Sequence, residues 1–134
     1  MTSDVIEFRV ALTVSDYEKL EALYRVGLGL EAGHIWTKDG DKGIIFDAGR
    51  ATLEIFDEAA AATVDQVEVG QRVSGQVRFA FQVPDVDAAV ARMVAHGAVL
   101  VHAPVETPWR HRNARVAADG LQVTLFQVLP PVAE

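Results

Sequence analysis

The chain has no cysteine among its 134 residues. That absence excludes disulfides, thiolate zinc ligands and thiol nucleophiles together. Positive charge is also scarce, with 12 Lys and Arg against 19 Asp and Glu, a net charge of −7 and a pI near 5.0. Nucleic-acid phosphates demand a basic face, so no nucleic-acid partner is expected. No apolar run reaches the roughly 18 residues that a membrane span requires, and the opening MTSD is not a basic, hydrophobic leader. The expectation is a soluble, cytoplasmic chain with no membrane partner. Apolar residues make up 50%, enough to core one ordinary domain or two small fused modules.

What the chain does have is a repeat. RVALTVSD at 9–16 returns about half the chain later as RFAFQVPD at 78–85, with Arg, Ala, Val and Asp at the same offsets. An internal duplication follows. Each copy opens with the period-two alternation of a half-buried strand. Phe8, Val10, Leu12 and Val14 share one face while Arg9, Ala11 and Thr13 share the other. In the second copy Val77, Phe79, Phe81 and Val83 oppose Arg78, Ala80 and Gln82.

Each copy then runs through the same element order. In the first, a strand at 5–14 leads to a capping box at Ser15 and Glu18, a helical stripe at Tyr17, Leu20, Leu23 and Tyr24, and a stop at Gly27 and Gly29. Strands follow at 31–38, 43–46 and 51–56, with turns at 39–41 and 48–49. In the second, a strand at 77–83 leads to a helix begun by Pro84 and Asp85, with Val86, Ala89, Val90, Met93 and Val94 at helical spacing and Gly97 as its end. Strands at 98–102, 113–116 and 121–128 follow, with a loop at 104–110, a turn at 118–120 and a frayed tail from Pro130. Residues 58–74 fit neither pattern. They read as a connector, with a single helical turn at 58–62 and a short extended piece, whose length is explained by joining two modules. The expected organisation is one domain built of module one (5–57), connector (58–74) and module two (75–129).

This frame resembles the vicinal oxygen chelate superfamily of glyoxalases, bleomycin-resistance proteins and extradiol dioxygenases. The resemblance rests on the paired openings at 9–16 and 78–85, YRVGLGL at 24–30, LEIF at 53–56 and ADGLQVTLF at 118–126, and it covers nearly the whole chain. It implies an α+β fold in which two tandem βαβββ modules form open, cup-shaped mixed sheets, within a homodimer. Metal-dependent members place ligands on the first and last strand of each module, which by register are Arg9, Glu54, Arg78 and Thr124 here. Arginine offers a metal no lone pair, so the resemblance implies that the family's metal site is lost and that no cofactor is bound.

Alternation, taken with the duplication, leads to a face that includes the same four positions. Thr52, Glu54 and Phe56 share a face of their strand, as do Gln122, Thr124 and Phe126 of the last. A cup lined by these and by Arg9, Ala11, Arg78 and Ala80 is an apolar pocket with a few convergent polar groups. Arg9, Glu54 and Arg78 read in two ways. They are a charge cluster filling a vestigial metal site, or they hold an anionic or carbonyl-bearing ligand, since one Glu cannot neutralise two Args.

The histidines show no metal-ligand spacing, and His96 sits where a helix C-terminus favours a cation. His111 is singled out because the run 108–113 places it beside Trp109, whose indole is expected over a ligand. Trp36 is a second aromatic wall candidate, explained equally by dimer burial. Glu106 is a base that nothing positions, and Asp16 and Asp85 are helix caps.

The leading expectation is a metal-free small-molecule-binding protein that sequesters an antibiotic or metabolite. Ligand contacts are assigned to Arg9, Glu54, Phe56, Arg78, Trp109, His111, Thr124 and Phe126. The alternative is a lyase, isomerase or dioxygenase acting on a small carbonyl or aromatic substrate, with Glu54 as its catalytic base. A third reading is an assembly partner whose cup its own side chains fill. Whether one chain or a swapped dimer builds the cup stays open at this stage.

Overall fold

The computed structural model describes residues 4–27, 30–38, 40–49, 51–118 and 120–132. Its elements run β1 (Glu7–Thr13), α1 (Tyr17–Ala22), β2 (Glu31–Lys38), β3 (Asp41–Asp47), β4 (Ala51–Phe56), α2 (Glu58–Val69), β5 (Val77–Gln82), α3 (Val86–Ala95), β6 (Val99–Glu106), β7 (His111–Ala118) and β8 (Leu121–Val128). The eight strands form one open sheet in the order β2-β3-β4-β1-β5-β8-β7-β6. The fold is thus α+β and duplicated, each half being βαβββ.

The halves meet through their first strands, β1 and β5, which pair antiparallel with Arg9 opposite Ala80 and Ala11 opposite Arg78. Within each half the first strand pairs parallel with the last, Ala11 against Glu54 in one and Ala80 against Thr124 in the other. Since opposed residues point to the same side, Arg9, Glu54, Arg78 and Thr124 share a concave face. One chain builds this cup.

The convex face holds the cores of the two modules. Ile44, Phe46 and Ile55 pack with Tyr17 of α1 in the first, and Ala114, Val116 and Leu125 pack with Val86, Ala89 and Val90 of α3 in the second. These residues alternate with the cup-facing ones along the same strands, so one pleat serves core and cup at once. Asp85 caps α3 as expected, accepting from the Ala88 amide at 3.1 Å. In module one the cap is Asp16, as also expected, which accepts from the Lys19 amide at 3.2 Å; the capping box of Ser15 and Glu18 does not form. After Ala22 the helix widens into a π-helical turn, Leu23–Gly27. Gly29 and Asp39, expected at a helix end and a turn, lie outside the described residues, as does Asp119 of the last turn.

Two expectations need correction. Residues 104–110 are not all loop, because β6 continues to Glu106 past bulges between Leu100 and His102 and between His102 and Val105. Residues 58–74 are not an irregular connector either. Asp57 accepts from the Ala60 amide at 2.7 Å and starts α2, and Gly70 closes it at φ 80, a left-handed conformation that glycine adopts without strain. The helix escapes a periodicity reading because its buried face is split between small and acidic residues, Ala60 and Ala61 with Asp65 and Glu68. Ala60 and Ala61 pack on Ala11 and Phe56, so α2 lies inside the cup.

Candidate functional site

The space left inside the cup is a cavity of about 680 Å3. Its walls include every residue assigned a ligand contact from the sequence, Arg9, Glu54, Phe56, Arg78, Trp109, His111, Thr124 and Phe126, but not Ala11, Thr52 or Gln122, also expected on the cup lining. His34, Trp36, Glu68 and Asn113 complete much of the lining. Glu106 does not reach it.

The first module supplies an aromatic wall. Trp36 meets Phe56 edge to face at 5.6 Å between ring centroids, and His34 stacks on Trp36 at 5.7 Å. Opposite them His111 stacks on Phe126 at 5.0 Å, and Trp109 stands near the mouth, 40% exposed. Between the walls the two predicted guanidiniums lie on phenyl faces, Arg9 over Phe126 at 4.7 Å and Arg78 over Phe56 at 5.2 Å. Each arginine thus crosses from its own module to the other's ring, which the duplication makes a reciprocal arrangement. Such contacts favour a cation on the ring face over one adrift in an apolar hollow.

Charge pairing differs from the sequence expectation. Arg9 does approach Glu54, at 3.6 Å, and also binds Glu7. Arg78 instead reaches Asp65 of α2 at 3.5 Å. A third guanidinium enters as well: Arg115, 1% exposed, donates to Glu68 at 2.8 Å, to Asp65 at 3.2 Å, to Ser74 Oγ at 2.7 Å and to Thr124 Oγ1 at 3.1 Å. Thr124 in turn donates to Glu68 at 3.0 Å, and Asn113 Nδ2 donates to the other Glu68 oxygen at 3.0 Å. The expected surplus of positive charge is therefore absent. Arg9, Arg78 and Arg115 are met by Glu54, Asp65 and Glu68.

The carboxylates respond differently to burial. Desolvation raises the Glu54 carboxyl above its ordinary range, and the nearby Arg9 and Arg78 only partly offset it. Desolvation also acts on Asp65. There, donation from the Ser74 hydroxyl, from the Ser74 and Val73 amides and the charge of Arg115 outweigh it, so Asp65 stays ionised well below the usual range. His111 is lowered from its ordinary 6.5, first by burial and then by Arg9, and is neutral at neutral pH.

The four positions where metal-dependent members of the resembling family hold an ion contain two guanidiniums, a threonine hydroxyl already engaged on both sides, and one carboxylate. Among the described residues no three His, Asp or Glu side chains are grouped as an ion would need. The residues present do not fit a divalent cation.

Asp65, Glu68, Asn113 and Arg115 were not anticipated. Two signals point to them: an acidic pair at helical i, i+3 spacing after an alanine run, and an arginine set between Ala114 and Val116 in an apolar strand, where it must find an anion.

Comparison with known proteins agrees with the architecture. The family model described as Glyoxalase/Bleomycin resistance protein/Dioxygenase superfamily matches residues 8–123. No curated protein matches by sequence. Among solved structures, methylmalonyl-CoA epimerase from Mycobacterium tuberculosis is similar with a TM-score of 0.66 and 20% identity over 97% of this chain and 93% of that one. A superfamily member from Vibrio splendidus gives 0.65 and 13% over 90% and 97%. A variant methylmalonyl-CoA epimerase from Streptomyces coelicolor, in complex with 2-nitronate-propionyl-CoA, gives 0.62 and 19% over 97% and 100%. At these identities the likeness concerns the fold.

Proposed function

The chain belongs to the glyoxalase/bleomycin resistance/dioxygenase superfamily, and within it we propose a metal-free binding protein whose cup captures a small, flat, partly aromatic molecule without altering it. One observation carries this reading. The cup keeps about 680 Å3 between aromatic walls although three arginines and three carboxylates are packed around it. A cup serving only as an assembly core would be closed by such packing. A flat ligand would lie between the Trp36 indole on one side and the His111 imidazole on the other, with Trp109 covering the mouth and Arg9, Arg78, Glu54 and Thr124, the two guanidiniums backed by Phe126 and Phe56, beneath.

Two measurements test it. Purified protein should carry no stoichiometric metal, and chelator should leave its thermal midpoint unchanged. Screening flat metabolites and antibiotics should produce saturable thermal shifts that Phe126→Ala or Trp36→Ala abolishes. Bound zinc, nickel, manganese or iron, or a cup that no compound stabilises, overturns the proposal. Self-association into a homodimer would cover the apolar residues that β6 leaves exposed, Val99, Leu100 and Val101; sedimentation equilibrium reads it directly.

A second reading is a metal-independent isomerase. It is favoured by Glu54, a carboxyl raised by burial and open to the cavity, as a general base requires. Two structural relatives are named epimerases. Arg9 and Arg78 would then stabilise an enolate. Solvent deuterium appearing beside the carbonyl of a bound compound, and lost in Glu54→Gln, would select this reading over passive capture.

A further inference from the structure

Charge is matched around the cup, but hydrogen bonding is not. The carboxylates of α2 are well supplied with donors. Asp65 is held by Arg72 at 3.1 Å, by Arg115 at 3.2 Å, by the Ser74 hydroxyl at 2.6 Å and by the Val73 and Ser74 amides, and Glu68 by Arg115, Thr124 and Asn113. The arginines of the two first strands are short of acceptors. Among the described residues Arg78 makes one side-chain hydrogen bond, from Nη1 to Asp65 at 3.5 Å, the outer limit of such a contact. Arg9 commits Nε to Glu7, while its Nη1 stands 3.6 Å from Glu54, too far to donate. From this imbalance, and resting on the reading of the cup as a small-molecule site, we propose that Arg9 and Arg78 together anchor an oxyanion of the ligand, and that the captured molecule is a flat aromatic carboxylate.

The two guanidiniums are placed to share one group. Arg9 and Arg78 are diagonal neighbours across the β1–β5 pair, both line the cavity, and each is backed by a phenyl ring of the opposite module. The Nε of Arg78 is sealed in the wall and contributes nothing to a ligand. Its Nη2 and both Nη atoms of Arg9 have no hydrogen-bond acceptor among the described residues and are not sealed in this way. A carboxylate between them accepts charge-assisted bonds from two planar donors held in place. Turning Arg78 toward it uncovers no charge, because the other donors to Asp65 remain.

A cation is the competing occupant, since the Trp36 and Trp109 indoles line the same space. Trp109 is 40% exposed, where attraction to a ring face is weakest. Deeper in, Glu68 is already engaged by three donors, which leaves Glu54 as the carboxylate to meet it. Both guanidiniums act on Glu54, and burial shifts its carboxyl toward the protonated form, which offers an oxyanion one more donor. A neutral carbonyl uses the same donors through weaker bonds, because it brings no charge of its own.

Three compounds of one shape separate the cases: 2-naphthoate, 2-naphthamide and 2-naphthamidine, titrated at neutral pH into the full chain by calorimetry. The naphthoate should bind roughly tenfold or more tightly than either of the others. In Arg78→Gln, and separately in Arg9→Gln, it should weaken by roughly tenfold while the amide changes by less than about threefold. Circular dichroism and the thermal midpoint establish that each variant is folded, and if Arg78→Gln is not, Arg9→Gln and the ranking in the native protein decide. Naphthamide or naphthamidine matching the naphthoate in the native protein overturns the anion while leaving the cup as a site. Naphthoate affinity unchanged in the folded variants removes the two arginines as its anchor. If no compound binds, the reading of the cup falls too.

Discussion

The two halves of the cup are built on one plan and finished differently. By register, Ile45 of β3 corresponds to Arg115 of β7, since each opposes the cup-facing residue of its module's last strand, Glu54 or Thr124. Gly43 and Asn113 correspond in the same way, opposite Phe56 and Phe126. Module one thus offers a ring-lined hollow with one buried carboxylate, Glu54. Module two offers a dense polar network clamped by α2. The comparison teaches that a duplicated scaffold can assign recognition to one half and anchoring to the other, with the intervening helix choosing which.

The sharpest way to break the comparison is to exchange the character of the corresponding positions. Arg115→Met leaves Asp65 and Glu68 buried without their shared cation and should cost about 3–5 kcal/mol in thermal or denaturant unfolding. Ile45→Met, at the equivalent place in the open half, should cost under about 1.5 kcal/mol. Equal losses would mean that the halves do not differ in this way.

Acid offers a second, graded test. Asp65 has its carboxyl lowered, so its contribution is fully present above the ordinary carboxylate range and is lost as pH falls through and below that range. Hydrogen exchange should then show α2 and residues 72–74 opening before β3 and β4 as pH drops toward 3, near the ordinary 3.8. Glu54 has the opposite sign. Its raised carboxyl makes the folded state the better proton binder, so stability declines as pH rises from the ordinary range through the folded value. Glu54→Gln should remove that slope and be neutral or stabilising by about 0–1 kcal/mol. A large loss would show that module one, too, depends on its charge.

The smallest effect belongs to His111. Its folded value is lowered, so only the unfolded chain protonates readily, and stability falls as pH drops below the ordinary 6.5. His111→Gln should flatten the profile of unfolding free energy between pH 7 and 5 relative to the parent. A profile that stays as steep would assign the slope to another group.

The same contrast explains what could be read without coordinates. Arg9, Glu54, Arg78, Thr124 and the two phenylalanines were legible because strand alternation and a repeated opening place them on one surface, two constraints that depend only on order along the chain. The partners of the arginines were not. Asp65 and Glu68 sit on a helix whose buried side is partly acidic, so hydrophobic periodicity, the signal that reveals helices, is weak there. Arg115 was visible as a strand residue, yet its need for a counter-ion is resolved only by a segment about 50 positions away. Pairing between distant segments is tertiary information. The surplus of positive charge read from two arginines and one glutamate rested on an incomplete inventory of the carboxylates.

Gly43 sets one further limit. A Cβ placed there would lie 1.8 Å from Cζ2 of Trp36, so the indole rests in a notch that only a hydrogen atom leaves open. Alanine at this position would tip the indole away from the strand that supports it, and the chamber would change shape without any change in its chemistry. A series of alanine, serine and valine at this one backbone position would therefore act as a dial on ligand size, independent of the electrostatics that decide ligand charge.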